Sequence, residues 1–191
     1  TYEELPDLNW FCDTFLVGSD QLWNYWSTKD NGAYFFLDFV EDSRKKIAYA
    51  TSFGHSVYGA PKNVLEENSF HLSRFDHISV REKDGIKVCR DYFGIEADWT
   101  IEPVFLLDKE RYRKIAEESG KDTSGDYLFA YILTPSIEKR RALIELGERL
   151  NRKIVLVLDA QADFENNRNI MNMPESLVEN LEMEDWLKYI K

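Results

Sequence analysis

Residues able to do chemistry recur where short apolar, β-prone stretches of this 191-residue sequence end. Gly18-Ser19-Asp20 follows Thr14–Val17, and Ser52-Phe53-Gly54 closes Lys46–Ser52. Arg81-Glu82 closes His77–Arg81, and Glu102-Pro103 follows Asp98–Ile101. In open α/β sheets, side chains at the carboxyl ends of parallel strands face the ligand crevice. Ser19 and Asp20 have the groups to hydrogen-bond a sugar hydroxyl, and are equally suited to cap the next helix. Small residues at Ser52 and Gly54 keep the backbone open to a ligand or a tight turn. Arg81 offers a planar fork for a carboxylate or phosphate; the other reading is a structural bridge to Asp76, Glu82 or Asp84. Glu102 is a base at the crevice, an orienting partner for Arg81, or a strand-ending acid in solvent. Trp23 and Trp26 are either sugar-stacking rings or core. His55 is placed for proton transfer near neutrality or is an exposed loop residue. His71 reads as a surface or packing residue within a helix, and His77 precedes a buried strand with no partner evident in the sequence.

The elements that position these groups alternate. Strands are expected at Thr14–Val17, Tyr34–Phe39, Lys46–Ser52, His77–Arg81, Asp98–Ile101, Tyr127–Leu133 and Lys153–Leu158. Several are continuous apolar runs, as in parallel strands buried on both faces. Helices are expected at Lys62–Phe75, Glu82–Phe93, Lys109–Glu118, Ser136–Asn151 and Met183–Ile190, with Gly94 as a left-handed cap. The pattern predicts an α/β fold, a Rossmann-like, mostly parallel sheet flanked by helices. Residues 1–116 are expected to form the first domain and 117–126, with Gly120 and Gly125, a linker. Residues 127–191 then begin a second Rossmann-like domain, with only two clear strands and an Asn-rich loop. Two strands are marginal alone, so the native protein is expected to continue. The absence of an initiator Met and the mid-element start also fit an excised fragment.

Composition narrows the partners. The 35 acidic against 24 basic residues leave a net charge of −11, which argues against a nucleic-acid backbone. A small anion held by one or two Arg residues stays compatible. Cys12 and Cys89 make neither a disulfide framework nor a zinc set, and fit a reducing, cytoplasmic setting. No apolar stretch approaches a membrane span, and no leader pattern opens the chain. Metal-ligand spacing, phosphate-cradling glycine loops and nucleophile elbows are missing from the sequence, so no metal or cofactor is expected.

Five segments in order resemble the polysaccharide pyruvyl transferase family: Phe15–Asn24, Tyr34–Val40, Lys46–Gly54, Ser79–Gly85 and Glu102–Leu107. The likeness is good over residues 13–107 and looser over 127–191. It implies a fold like the GT-B glycosyltransferases, in which two Rossmann-like domains face a cleft. It also implies transfer of a pyruvyl group from phosphoenolpyruvate to a sugar or lipid-linked glycan, forming a ketal during cell-surface polysaccharide synthesis. A donor with a carboxylate and a phosphate calls for Arg, hence Arg81 as the expected anion contact. Ser19, Asp20, Ser52 and Glu102 complete the expected substrate-binding set. Proton transfer needs an acid/base pair.

Two departures from the family pattern stand out. Glu102 occupies a position where the family shows Asp. The family's Ser-Phe-His-Gly segment, whose His looks like the general acid, does not occur here and is expected beyond residue 191, so the isolated chain is expected to be inactive. Two rival functions fit the same features: a GT-B transferase using a nucleotide-sugar donor, and a non-catalytic glycan-binding or scaffold domain.

Overall fold

A computed structural model describes residues 2–29, 32–158, 164–172 and 181–190. The chain divides into two compact units, Thr1–Leu106 and Leu107–Lys191.

In the first unit, a 3-10 helix at Tyr2–Trp10 precedes β1 (Thr14–Val17) and the short α1 (Tyr25–Thr28). Next come β2 (Lys45–Thr51), α2 (Lys62–Leu72), β3 (His77–Val80), α3 (Lys83–Val88) and β4 (Asp98–Trp99). All four strands are parallel, in the order β1-β2-β3-β4. Every carboxyl end therefore lies on one edge of the sheet. Leu16 pairs with Ile47, and Val80 with Trp99. Between Ala48 and Thr51 the β2–β3 register shifts. Ala50 sits there at a φ of 52°, a backbone region that is costly for a residue with a Cβ. The Ser79 hydroxyl supports this irregularity, accepting from the Ala50 N–H at 3.1 Å and donating to the Ala48 carbonyl at 3.0 Å.

The core centres on Trp23, which is 0% exposed. It stacks on Phe36 at 5.4 Å and meets Phe53 and Phe75 at its other surfaces. Its indole N–H donates to the Phe35 carbonyl at 3.0 Å. Burying a ring of this size contributes on the order of 4–6 kcal/mol of transfer free energy. Trp23 is thus core, whereas Trp26 stays partly exposed with His55 edge-on at 4.6 Å.

Several elements differ from expectation, and α2 ends at Leu72, short of the Phe75 expected. Tyr34–Phe39 is not a strand: Ala33–Phe36 forms a 3-10 helix that ends at Leu37 with a φ of 54°. Packing against Trp23 decides the matter, because β propensity is a preference for a pleated surface and yields to tertiary context. The helix expected over Glu82–Phe93 begins one residue later, with Glu82 as its extended N-cap. It runs into a π turn at Cys89–Phe93, and Gly94 closes it in the left-handed conformation expected. β4 stops at Trp99, although the Thr100 N–H still reaches the Val80 carbonyl at 3.0 Å.

In the second unit, α4 (Lys109–Glu117) precedes β5 (Tyr127–Ile132), α5 (Ile137–Leu150), β6 (Lys153–Leu158), α6 (Phe164–Met171) and α7 (Met183–Ile190). β5 and β6 pair in parallel. Alternate β5 residues serve opposite faces. Leu128, Ala130 and Ile132 join the core of Leu143, Ile154, Leu156 and Met171. Phe129 stacks on Tyr189, and Tyr131 meets Trp186, both on α7. The Ser136 hydroxyl caps α5 by accepting from the Lys139 N–H. Helix α4, expected within the first domain, packs on α7 in the second unit, so the division falls at Leu106/Leu107, upstream of the 117–126 linker proposed from sequence. The Asn-rich stretch expected as a loop contains α6, whose Met171 is fully buried; the rest of that stretch, 159–163 and 173–180, lies outside the described residues.

Cys89 and Tyr58 give the fold a measurable alkaline limit. Burial pushes the Cys89 thiol from 9.0 up to about 12, with the Glu82 charge adding to it. Burial likewise raises Tyr58 to about 12, against an Asn68 hydrogen bond that lowers it. The folded state favours both neutral forms. Their contribution is complete below the unfolded values and is lost as pH rises toward the folded ones. Urea unfolding midpoints should fall between pH 9 and about 12. In Cys89→Ala that fall should be shallower by about 1.4 kcal/mol per pH unit.

Candidate functional site

Four of the five residues singled out from sequence converge at the carboxyl edge of the first sheet. β1 and β4 are three strand spacings apart, roughly 14 Å. The segment after Trp99 must fold back across the strand ends for Glu102 to reach the end of β1. The Tyr49 hydroxyl donates to the Ile101 carbonyl at 3.4 Å along that path. Glu102 then binds two partners. Its Oε2 accepts from Arg81 Nη1 at 2.8 Å, and its Oε1 accepts from the Ser19 hydroxyl. Asp20 Oδ1 lies 3.4 Å from Arg81 Nη2, and Glu82 Oε2 lies 3.9 Å from Arg81 Nε. Of the other acids considered for Arg81, Asp76 accepts from the Lys46 N–H and Asp84 pairs with Lys87.

The neighbours hold the Arg81 charge firmly. Burial opposes the charged guanidinium, but the Glu102 hydrogen bond and the charges of Glu102, Asp20 and Glu82 outweigh it, so its pKa is raised. The Trp99 indole N–H donates to the Arg81 carbonyl at 3.1 Å and anchors the backbone at the strand end.

The loop after β1 is shaped by two glycines. A Cβ on Gly18, at a φ of 137°, would lie 1.9 Å from the Tyr49 carbonyl oxygen. Only glycine lets this turn pass so close to β2. A Cβ on Gly54, at a φ of 70°, would lie 2.4 Å from Gln21 Oε1. Asn24, not Ser19 or Asp20, caps α1, its side chain accepting from the Trp26 N–H. That leaves Ser19 and Asp20 for the corner.

Ser52 stands apart. It is 2% exposed, and its hydroxyl accepts from the Gly54 N–H at 3.0 Å. Its main chain accepts from the Trp23 N–H and donates to the Asp20 carbonyl, so it braces the loop instead of lining the corner. The three histidines make their contacts elsewhere: His55 with Trp26, His71 with Arg74, and His77 with Asp98 at 3.4 Å. Burial lowers the pKa of His71. Among the described residues no group of three or more His, Cys, Asp and Glu is placed to hold a metal ion, and no helix is long and apolar enough to cross a membrane.

Two contributors were missed from sequence. Glu82, a possible bridge partner of Arg81 in the sequence, also accepts through its Oε1 from the Phe53 N–H at 3.0 Å, tying the exits of β2 and β3 together. Ser79 is the second, through the hydroxyl that bridges Ala48 and Ala50. A lone Ser within an apolar strand was the signal available for it.

Parallel strands flanked by helices, with a polar corner at their carboxyl ends, define an α/β protein of Rossmann-like architecture. The family model for polysaccharide pyruvyl transferase matches residues 2–191, and the chain belongs to that family. No curated protein and no solved structure matches it.

Removing the guanidinium should leave the half-buried Glu102 without its main partner. Arg81→Ala should cost about 1–3 kcal/mol of unfolding free energy. Arg81→Lys should restore only part of this, because an ammonium cannot reproduce the fork. Urea titration of the three proteins checks both statements.

Proposed function

We propose that the protein acts in pyruvyl transfer from phosphoenolpyruvate to a sugar or lipid-linked glycan in the synthesis of a surface polysaccharide. The family match across residues 2–191 carries this reading. The corner of Ser19, Asp20, Arg81 and Glu102, at the strand ends where α/β folds hold ligands, supports it. The reaction joins two sugar hydroxyl oxygens to C2 of the donor and breaks the bond from C2 to the phosphate oxygen. Of the two hydroxyl protons, the equivalent of one ends on the former methylene carbon, making a methyl group. The other leaves on inorganic phosphate.

Such chemistry needs a group to protonate the methylene carbon. His55, His71 and His77 are engaged with Trp26, Arg74 and Asp98, and we assign the acid role to none of them. The 191-residue chain should therefore bind phosphoenolpyruvate without turning it over.

Calorimetry with phosphoenolpyruvate and with UDP-glucose tests the donor class. Heat from the first and none from the second is expected. Binding of UDP-glucose alone would replace this reading with a glycosyltransferase. Ketal detected by mass spectrometry with the isolated chain would show that its acid lies within these residues.

A further inference from the structure

Three carboxylates surround one guanidinium in the corner. Glu102 is bonded to Arg81 at 2.8 Å, Asp20 stands at 3.4 Å and Glu82 at 3.9 Å. A multiply charged anion entering here would meet more negative than positive charge. The guanidinium at the centre of the corner already donates to Glu102. Bidentate capture of a phosphate or carboxylate by Arg81 would require that bond to break, leaving a carboxylate with 27% of its side chain exposed to find another partner.

The same groups suit neutral hydroxyls well. Carboxylates are hydrogen-bond acceptors only, and a serine hydroxyl that donates keeps lone pairs for accepting. The Ser19 hydroxyl spends its proton on Glu102 and so presents an acceptor. The Asp20 carboxylate is 82% exposed at its side chain, the most open group of the four. Its Oδ1 also accepts from the Gln21 N–H at 2.7 Å, which fixes its direction. The corner is thus an array of acceptors oriented by one Arg, a match for a molecule that offers several O–H donors.

We propose that this corner is the acceptor subsite, taking the hydroxyls of the sugar, and that the anionic donor is held by other groups. This rests on the pyruvyl-transfer reading above and reassigns Arg81. The guanidinium positions Glu102 and Asp20 and does not grip the donor. Asp20 takes a hydrogen bond from one of the hydroxyls that becomes part of the ketal.

Saturation-transfer NMR on the whole 191-residue chain tests the assignment. The probes are methyl glucopyranoside, methyl galactopyranoside and methyl mannopyranoside, with a parallel titration of phosphoenolpyruvate. At least one glycoside should receive saturation from the native chain. Asp20→Asn keeps the shape and removes the charge at an exposed position, so folding should be retained, as a melting curve will show. It should weaken glycoside binding about tenfold, the loss of one charge-assisted hydrogen bond. Phosphoenolpyruvate should bind as before or more tightly. Weaker phosphoenolpyruvate binding with unchanged glycoside binding would overturn the proposal and return the corner to the donor. Absence of saturation transfer to all three glycosides would also overturn it. If phosphoenolpyruvate fails to bind the native chain while glycoside binding still depends on Asp20, the acceptor assignment stands and the pyruvyl-transfer reading falls.

Discussion

The pair between Arg81 and Glu102 organises the carboxyl edge of the first sheet. It joins the end of β3 to the segment that follows β4, and through the Ser19 hydroxyl it reaches the end of β1. The remaining exit, at β2, is bound in by the Glu82 carboxylate on the Phe53 N–H. Backbone sheet bonds stop where the strands stop. Beyond them these side-chain contacts, with the main-chain bonds of Ser52 to Asp20 and Trp23, hold the four exits together. Charge-assisted bonds suit that task because they are directional and about twice as strong as neutral ones.

Beneath this edge, the fold supplies rigidity by other means. Trp23 and the aromatic rings around it form the base on which the β1 exit rests. The irregularity at Ala50, supported by Ser79, turns β2 so that Ser52 faces inward and braces the Asp20 backbone. Packing, a strained residue and a buried hydroxyl thus all act on the same few ångströms of loop. In the second unit, two paired strands take helices on both faces, which lets so small a sheet bury its apolar side chains.

Much of this was legible in the amino-acid order. Strand positions followed from apolar runs ending in small or polar residues, and helix positions from apolar stripes with recognisable caps such as Gly94. The convergence of Ser19, Asp20, Arg81 and Glu102 followed from each closing a strand of a parallel sheet. What could not be read depends on distant partners. Tyr34–Phe39 has strand composition, yet its Phe36 ring stacks on Trp23 and its Phe35 carbonyl takes the indole N–H. Ser52 has the look of a ligand residue, yet the Gly54 N–H takes its hydroxyl. Glu82 sits where a helix dipole wants an acid, and nothing local says that Phe53 will use it. Glu82 and Glu102 were open as partners of Arg81 in the sequence, but only the fold adds Asp20 and brings all three carboxylates to it at once.

The seven residues from Gly18 to Asn24 carry two kinds of duty side by side. Ser19 and Asp20 face the corner, while Trp23 and Asn24 lie in the interior, 0% and 3% exposed. Selection for foldability and selection for ligand contact therefore act on neighbouring codons. A lineage that abandoned the chemistry would be free to change Ser19 and Asp20 while Trp23 and Asn24 stayed under constraint. The degree to which the front of this heptad drifts relative to its back would separate retired members of the family from working ones.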